Sequence, residues 1–349
     1  RGRNIYIPLN LWFGLNTKQA FPLLALQYNT LKVTITLRSI KEMFVIRDVT
    51  DSSNNYPYVQ PNFNLSEHQL YYFLQTPPNN VNKKDLSKIY TDKRILWNTD
   101  IHLISTYCFL DKDEQRLFTT KSQEYLIKEV YEEKFYNVEG TKRIKLNGIG
   151  TVSNWMWFLR RSDVDQRNQW SNYSNWSYNS ELPQPGYLNN NFLDLSNDTL
   201  YTTGSYTVEN DKNILKTFAI ILDGKYRENS FEEGIYNYIE KYTQTNSFAK
   251  SGIYCYNFAL SSNPFEIQPS GALHLTNFKD VQFEFTTNIP PLNEEHFVQV
   301  VCDPEDGEVI GINNPTNSIY KYNYELVLFQ ENFNIVQFSG GNISLMFSR

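Results

Sequence analysis

The chain has 349 residues, of which 40% are hydrophobic and 15% aromatic, and its formal net charge at pH 7 is -6. This length allows one large unit or two with a substantial buried core, and the acidic balance provides no basic field for a phosphate backbone, so direct binding of nucleic acid is not expected. There is no apolar run of about 18 residues, so a membrane span is not expected either. The many aromatic side chains favour strands over helices.

The first clear element lies at residues 31–38. Leu31, Val33, Ile35 and Leu37 share one parity, and the polar residues between them share the other. Because successive side chains of a strand point to opposite faces, this alternation predicts a half-buried antiparallel strand.

Further strand-like runs follow, separated by turn-rich stretches, as is typical of a β-sandwich or barrel. The predicted strands are Asp100–Leu110, Tyr125–Tyr131, Arg143–Leu146, Trp155–Leu159, Lys216–Leu222, Ile253–Leu260, Val281–Thr286, Phe297–Val301 and Tyr322–Phe329.

A short helix is expected between the strands that end at Leu110 and begin near Tyr125. In residues 111–124 the acidic side chains cluster first and basic ones follow, which suits the partial positive charge at a helix amino end, and the helix is expected at residues 111–120. This linker divides the chain into residues 1–110 and residues 121–349. The second part has room for a complete eight-stranded sandwich, with two long loops at 160–213 and 224–250.

No catalytic, cofactor-binding or metal site is predicted. The three cysteines, Cys108, Cys255 and Cys302, are far apart and form no C-x-x-C pair. The four histidines lack metal-ligand spacing, and no catalytic signature is present. Neighbouring acids could imitate the carboxylate pair of a glycosidase, but solvated loop charges are the preferred interpretation. These residues are His68, His102, His274 and His296, and the acid pairs Glu132 with Glu133, Asp163 with Asp165, Glu232 with Glu233, and Glu294 with Glu295.

The aromatic cluster Trp170–Tyr178 has two interpretations. Indole and phenol rings among amide side chains suit the stacking of a carbohydrate. Tyrosine and tryptophan also anchor contacts between protein subunits. The second interpretation is preferred.

The chain opens with two distinctive blocks, Ile7–Gly14 and Phe21–Tyr28, which lead into the alternating segment 31–38. These blocks resemble the "IPLPFWF…LPLIALQY" segment of the double jelly-roll major capsid proteins of nucleocytoplasmic large DNA viruses, although Asn10 replaces a second proline. Thr106–Phe118 with Glu124–Ile127 resembles the junction between that family's two jelly rolls. Similar blocks, in the same order, are Ala219–Arg227, Gly252–Leu260, Gln268–Thr276 and Gly340–Arg349.

The resemblance implies an all-β double jelly roll whose first sandwich is incomplete in this chain, with residues 1–110 as its later part. A preceding segment is expected, because the family's early strands lie upstream of the opening block. The resemblance also implies a non-enzymatic structural protein without cofactors. It would form a homotrimer with pseudo-hexameric outline and contact neighbouring capsomers and minor capsid proteins in an icosahedral virion assembled in the host cytoplasm. The alternative function is a carbohydrate-binding or glycoside-active jelly-roll protein.

Overall fold

The structure is a computed structural model that consists mostly of antiparallel β-sheet. It describes residues 4–39, 42–52, 58–68, 101–148, 150–164, 169–176, 184–185, 201–202, 212–245, 249–266, 268–290, 299–302, 307, 309–313 and 322–347.

Eight strands form the main body of the protein in two sheets. In chain order they are β1 (Gln123–Phe135), β2 (Thr141–Lys145), β3 (Thr151–Arg161), β4 (Leu215–Leu222), β5 (Lys225–Glu232), β6 (Ile253–Asn257), β7 (Val281–Thr287) and β8 (Tyr324–Ser339).

The strand order defines the topology. One sheet has the order β1-β8-β3-β6, and the other has the order β2-β7-β4-β5. Consecutive strands therefore alternate between the two sheets, except that β4 and β5 are neighbours in the same sheet, and the last strand returns to lie beside the first. This arrangement of eight antiparallel strands in two sheets is a jelly roll. The prediction of an all-β jelly-roll fold is confirmed.

The core between the two sheets is aromatic. Trp155 and Trp157 of β3, Phe218 of β4 and Phe283 of β7 are all 0% exposed. The rings of Trp157 and Phe218 stack with their centroids 4.2 Å apart, and Phe218 meets Phe283 edge-on at 4.6 Å. Because each large ring buries much apolar area and the pairs adopt favourable geometries, this cluster holds one sheet against the other.

Shorter strands surround the sandwich. Gln299–Cys302 and Val309–Asn313 form a hairpin between β7 and β8. Val309–Asn313 also pairs with Tyr58–Val59, which in turn pairs with Ile46–Arg47. Other short strands are Leu273–His274 beside β3, Asn342–Leu345 beside the end of β8, and the parallel pair Gln184–Pro185 and Tyr201–Thr202.

The amino-terminal segment packs against the end of the sandwich. It contains a short helix, Trp12–Leu15, and the 3-10 turns Thr17–Gln19 and Leu23–Ala25. Trp12 contacts Tyr125 of β1 at a centroid distance of 5.6 Å, and Phe21 contacts Phe338 of β8 at 5.2 Å. A second apolar cluster therefore joins this segment to β1 and β8.

A helix at Lys112–Thr120 precedes β1. The Asp111 side chain accepts a hydrogen bond from the Glu114 backbone N–H, and the Glu114 carboxylate accepts one from the Asp111 N–H. This reciprocal capping box satisfies two donors at the helix start that would otherwise have no partner. Two further 3-10 turns lie at Ser66–His68 and Leu275–Asn277.

Two predicted strands are wrong. Residues 31–37 are extended but form no β-ladder, and both parities are exposed, with Leu31 at 42% and Ile35 at 50%. The described residues of Asp100–Leu110 likewise pair with nothing that the structure describes, and Phe109 is 97% exposed. Alternation of side chains gives a strand only when a neighbouring strand satisfies its backbone, and the described residues supply none here.

The predicted loop 224–250 is also wrong in part. Asp223 and Gly224 both have positive φ and form a tight two-residue turn, so β4 continues directly into β5 as a hairpin. A helical segment with π-type turns follows at Ile235–Ile239 and Lys241–Thr245. Because nearly all of β5 is exposed and polar, it lacked the apolar alternation that reveals a strand. The other long connection, 160–213, does lie between β3 and β4, and most of it is outside the described residues.

We expect Trp157→Ala to lower the free energy of unfolding by about 3–5 kcal/mol, because it removes the centre of the aromatic cluster and leaves a cavity. Urea denaturation followed by fluorescence and circular dichroism measures this loss. Met156→Ala is the matched control, since Met156 is the neighbouring residue of β3 but is 41% exposed on the outer face. It should cost only about 0.5 kcal/mol. Equal losses for the two variants would contradict the assignment of faces.

Candidate assembly surface

A buried ion pair anchors the loop that follows β3. Arg161 is the last residue of β3, and its Nε donates to Asp163 Oδ1 at 2.8 Å. The guanidinium also bonds to the second carboxylate oxygen of Asp163, and the two residues are 1% and 0% exposed. Such two-point pairing is among the strongest arrangements for charged side chains. The interpretation of Asp163 as a solvated loop charge was therefore wrong, because Arg161 neutralises it two residues away.

The same arginine connects the ion pair to the loop 169–176. Its Nη1 donates to the backbone oxygen of Asn175 at 3.0 Å. The hydroxyl groups of Tyr322 and Tyr324 donate to the side-chain oxygen of Asn175 at 2.6 and 2.7 Å. Asn175 is 0% exposed, so this network fixes the loop to the start of β8. Nothing in the sequence pattern indicated this role for Asn175.

The aromatic rings of the loop are covered by cations of the same chain. The Arg38 guanidinium carbon lies 3.5 Å from the centroid of the Trp170 ring, and Lys212 Nζ lies 4.8 Å from that of Trp176. Tyr173 packs against Phe158 of β3 at 4.6 Å. One face of each indole is therefore occupied by a cation of the same chain, which leaves at most the opposite face open to a ligand. Residues 177–178 lie outside the described residues.

Exposed aromatic side chains mark the helical segment 235–245. Tyr242 is 79% exposed and Tyr238 is 56% exposed, while Ile239 between them is 50% exposed. The opposite side of the segment is fixed by Tyr236, which is 1% exposed and donates to the backbone oxygen of Phe218. An apolar surface of this kind on a rigid support is typical of protein contact sites.

The histidines and cysteines lie apart. His68 is buried, accepts a hydrogen bond from the Asn62 N–H and has a pKa lowered by burial, whereas His102 and His274 are exposed. Burial raises the pKa of the Cys255 thiol to about 12, and Cys108 is exposed. His296 and the side chain of Cys302 lie outside the described residues. Within the described residues, no three potential ligands come together in a way that could hold a metal ion.

The predicted acid pairs also separate. Glu132 pairs with Lys134 at 3.1 Å, while Glu133 faces inward and accepts from Gln330 Nε2 at 2.9 Å. Burial raises the pKa of Glu133. Glu233 accepts hydrogen bonds from Asn213 and Asn237. Asp165, Glu294 and Glu295 are outside the described residues.

Among the helices that the structure describes, none is long and apolar enough to cross a membrane.

These features define a class of protein: a jelly-roll sandwich with an anchored loop and an exposed aromatic surface. The family follows from comparison with known proteins. The family described as large eukaryotic DNA virus major capsid protein matches residues 114–344, and that described as major capsid protein N-terminus matches residues 1–74. The first match covers more than half of the chain, and the chain therefore belongs to the large eukaryotic DNA virus major capsid protein family.

Individual relatives are distant. The major capsid protein of Phaeocystis pouchetii virus is 24% identical over 187 residues, which are 53% of this chain and 28% of that protein. A quasi-atomic structure of the PBCV-1 virus capsid matches with a TM-score of 0.46 at 17% identity. The match covers 69% of this chain and 55% of the capsid chain. For the Faustovirus major capsid protein the TM-score is 0.41 at 12% identity, with coverage of 66% and 36%. The chain thus spans little more than a quarter of the curated relative's length.

We expect Asp163→Asn to lower the free energy of unfolding by about 3–5 kcal/mol, because the Arg161 guanidinium would remain buried without its counter-charge. Glu325→Gln is the matched control. It removes the partner of Arg160, the preceding residue of β3, in a pair whose side chains are 21% and 20% exposed, and it should cost about 1 kcal/mol or less. Chemical denaturation measures both. If the two losses were the same, the buried pair would not be the anchor of the loop.

Proposed function

We propose that this chain is the later part of a double jelly-roll major capsid protein that trimerises into pseudo-hexameric capsomers. These capsomers would tile the facets of an icosahedral virion that is assembled in the host cytoplasm. Membership of the capsid family is the observation that carries the proposal. The partners would be two further copies in each trimer, neighbouring capsomers and minor capsid proteins. The proposed role is structural and uses no enzymatic chemistry or cofactor.

The proposed domain organisation assigns residues 1–110 to the later part of a first jelly roll, 111–120 to a linker helix and 121–349 to the second jelly roll. The match of residues 1–74 to the amino-terminal capsid family supports the first assignment. The exposed apolar side chains of residues 31–37 support it too, because they would be buried if further strands paired with this segment. The capping box at Asp111 supports a defined linker between the two parts.

In this mechanism, rigid jelly-roll sandwiches assemble through contacts made by the loops that connect their strands. The aromatic core makes the sandwich stiff, and the ion pair of Arg161 and Asp163 holds the loop 169–176 in one position. The helical segment 235–245 presents Tyr238 and Tyr242 to solvent. We propose that the insertions 160–213 and 224–250 supply contacts between subunits, since rigid aromatic side chains bind with little loss of conformational entropy. Symmetry would repeat each such contact in every copy.

The oligomeric state tests this proposal directly. The mass of the purified full-length protein, measured by light scattering after size exclusion, should equal three times the mass of its single chain. Negative-stain images of the same peak should show a near-hexagonal outline. A monomer at all concentrations would contradict the trimer.

Tyr242→Ala tests the contact role of the helical segment. We expect it to weaken trimer association by about tenfold, which corresponds to about 1.4 kcal/mol, because an exposed aromatic side chain at an interface is lost. Analytical ultracentrifugation across a dilution series measures the change. Tyr136→Ala is the control, since Tyr136 is 61% exposed but lies in the connection between β1 and β2. If the Tyr242→Ala variant forms trimers as strongly as the unaltered protein, the helical segment does not contribute to the contact, although the proposal of a trimer stands.

A further inference from the structure

A cavity of about 260 Å³ opens at the surface beside the helical segment 235–245. Its apolar walls are Phe231 from β5, Ile235 from the helical segment, and Phe258 and Leu260 from the stretch after β6. At its rim, Leu260 is 81% exposed and Phe231 is 40% exposed. Apolar side chains exposed around a concave site are typical of a surface that binds a partner.

Two carboxylates also line this cavity. Glu228 of β5 accepts a hydrogen bond from the Tyr256 hydroxyl at 2.6 Å, and Glu240 accepts one from Asn257 Nδ2 at 3.3 Å. These neutral donors hold the carboxylates in place without neutralising them. Burial raises the pKa of Glu240, and the nearby negative charge of Glu228 raises it further. Both acids line the same partly buried cavity, so the negative charge of each disfavours that of the other.

No cation among the residues that the structure describes occupies this position. Lys, Arg and His are absent from the residues that line the cavity, and neither carboxylate forms an ion pair within the part of the chain that the structure describes. Lys241 follows Glu240 directly, but its Nζ is turned to the Asn237 side-chain oxygen at 3.0 Å, beneath the helical segment. The cavity thus combines apolar walls with two carboxylates that form no ion pair among the described residues. Arg227 does not line the cavity, although its positive charge acts on Tyr256.

We infer that this cavity binds the side chain of an arginine carried by a protein partner. The aliphatic stem of arginine would pack against Phe231, Ile235 and Phe258, and its guanidinium would donate to Glu228 and Glu240. An arginine side chain suits this site because it joins an apolar stem to a planar, weakly hydrated cation with several donors. An apolar residue next to that arginine would cover Leu260. The inference rests on the proposed role of residues 224–250 as a contact region and names the chemistry of what they contact.

Binding of a small probe to the purified protein tests the cavity independently of assembly. The probe is N-acetyl-arginine amide, and its control is N-acetyl-citrulline amide, which has nearly the same shape without the charge. We expect the arginine probe to bind with a dissociation constant on the order of 1 mM by calorimetry and to raise the melting temperature. The citrulline probe should do neither. Equal effects of the two probes, or no binding at tens of millimolar, would overturn the inference.

Substitutions of the two cavity carboxylates test whether the arginine probe binds in this cavity. Glu228→Gln and Glu240→Gln should each weaken binding of the arginine probe by about tenfold, because each removes one charged acceptor. Glu232→Gln is the control, since Glu232 is exposed on the same strand and does not line the cavity. Full binding in both cavity variants would overturn the site. The comparison of arginine with citrulline uses the unaltered protein, so it remains decisive if a variant fails to fold. A lysine or Mg²⁺ probe that binds better than arginine would contradict the assignment to arginine.

Because the probe binds the protein in any oligomeric state, this test is separate from that of the trimer. If a monomeric protein binds the probe, the arginine site stands and the trimer is rejected. If a trimeric protein does not bind the probe, the trimer stands and the arginine site is rejected.

Discussion

The pairing of one long strand, β8, holds the described structure together. Over its sixteen residues it pairs with β1 on one side, and on the other side first with β3 and then with Asn342–Leu345. Its inward side chains Leu326 and Leu328 belong to the aromatic core. Val336 and Phe338 belong to the second apolar cluster, called here the amino-terminal cluster because it joins the amino-terminal segment to β1 and β8. A single strand therefore belongs to both apolar clusters, and the position of the amino-terminal segment depends on it. Because a slip of one residue would turn every inward side chain outward, the register of β8 is strongly specified.

A buried polar row separates the two clusters along this strand. Gln330, Asn332 and Asn334 point inward and are at most 2% exposed. Gln330 accepts a hydrogen bond from Trp155 Nε1 and donates to Glu133, and Asn334 donates to Glu129. For Asn332, neither polar atom of the amide has a hydrogen-bond partner among the described residues. Buried polar groups cost free energy unless they are hydrogen-bonded, and here they separate the two apolar clusters along β8.

The sequence predicted the fold class and most sandwich strands, since β1, β3 and β7 have a clear inward period and β4 ends in a continuous apolar run. It stopped β8 at Phe329 because the polar row interrupts that period. It also placed strands at residues 31–37 and 100–110, where local alternation is present but the described residues supply no pairing partner. The anchor of the loop after β3 could not be predicted, since the contact of Asn175 with Tyr322 and Tyr324 joins residues about 150 positions apart. The cavity of Glu228 and Glu240 likewise depends on a helical segment folding back on a polar edge strand.

Hydrogen exchange across β8 tests the central claim most directly. If this strand unites both clusters, the backbone amides from Leu326 to Phe338 exchange only when the whole domain unfolds, and all report the same free energy of opening. Mass spectrometry of overlapping peptides from residues 324–339 resolves this. Protection that ends at Gln330, with much faster exchange from Glu331 onward, would show that the amino-terminal cluster opens separately and would contradict the account.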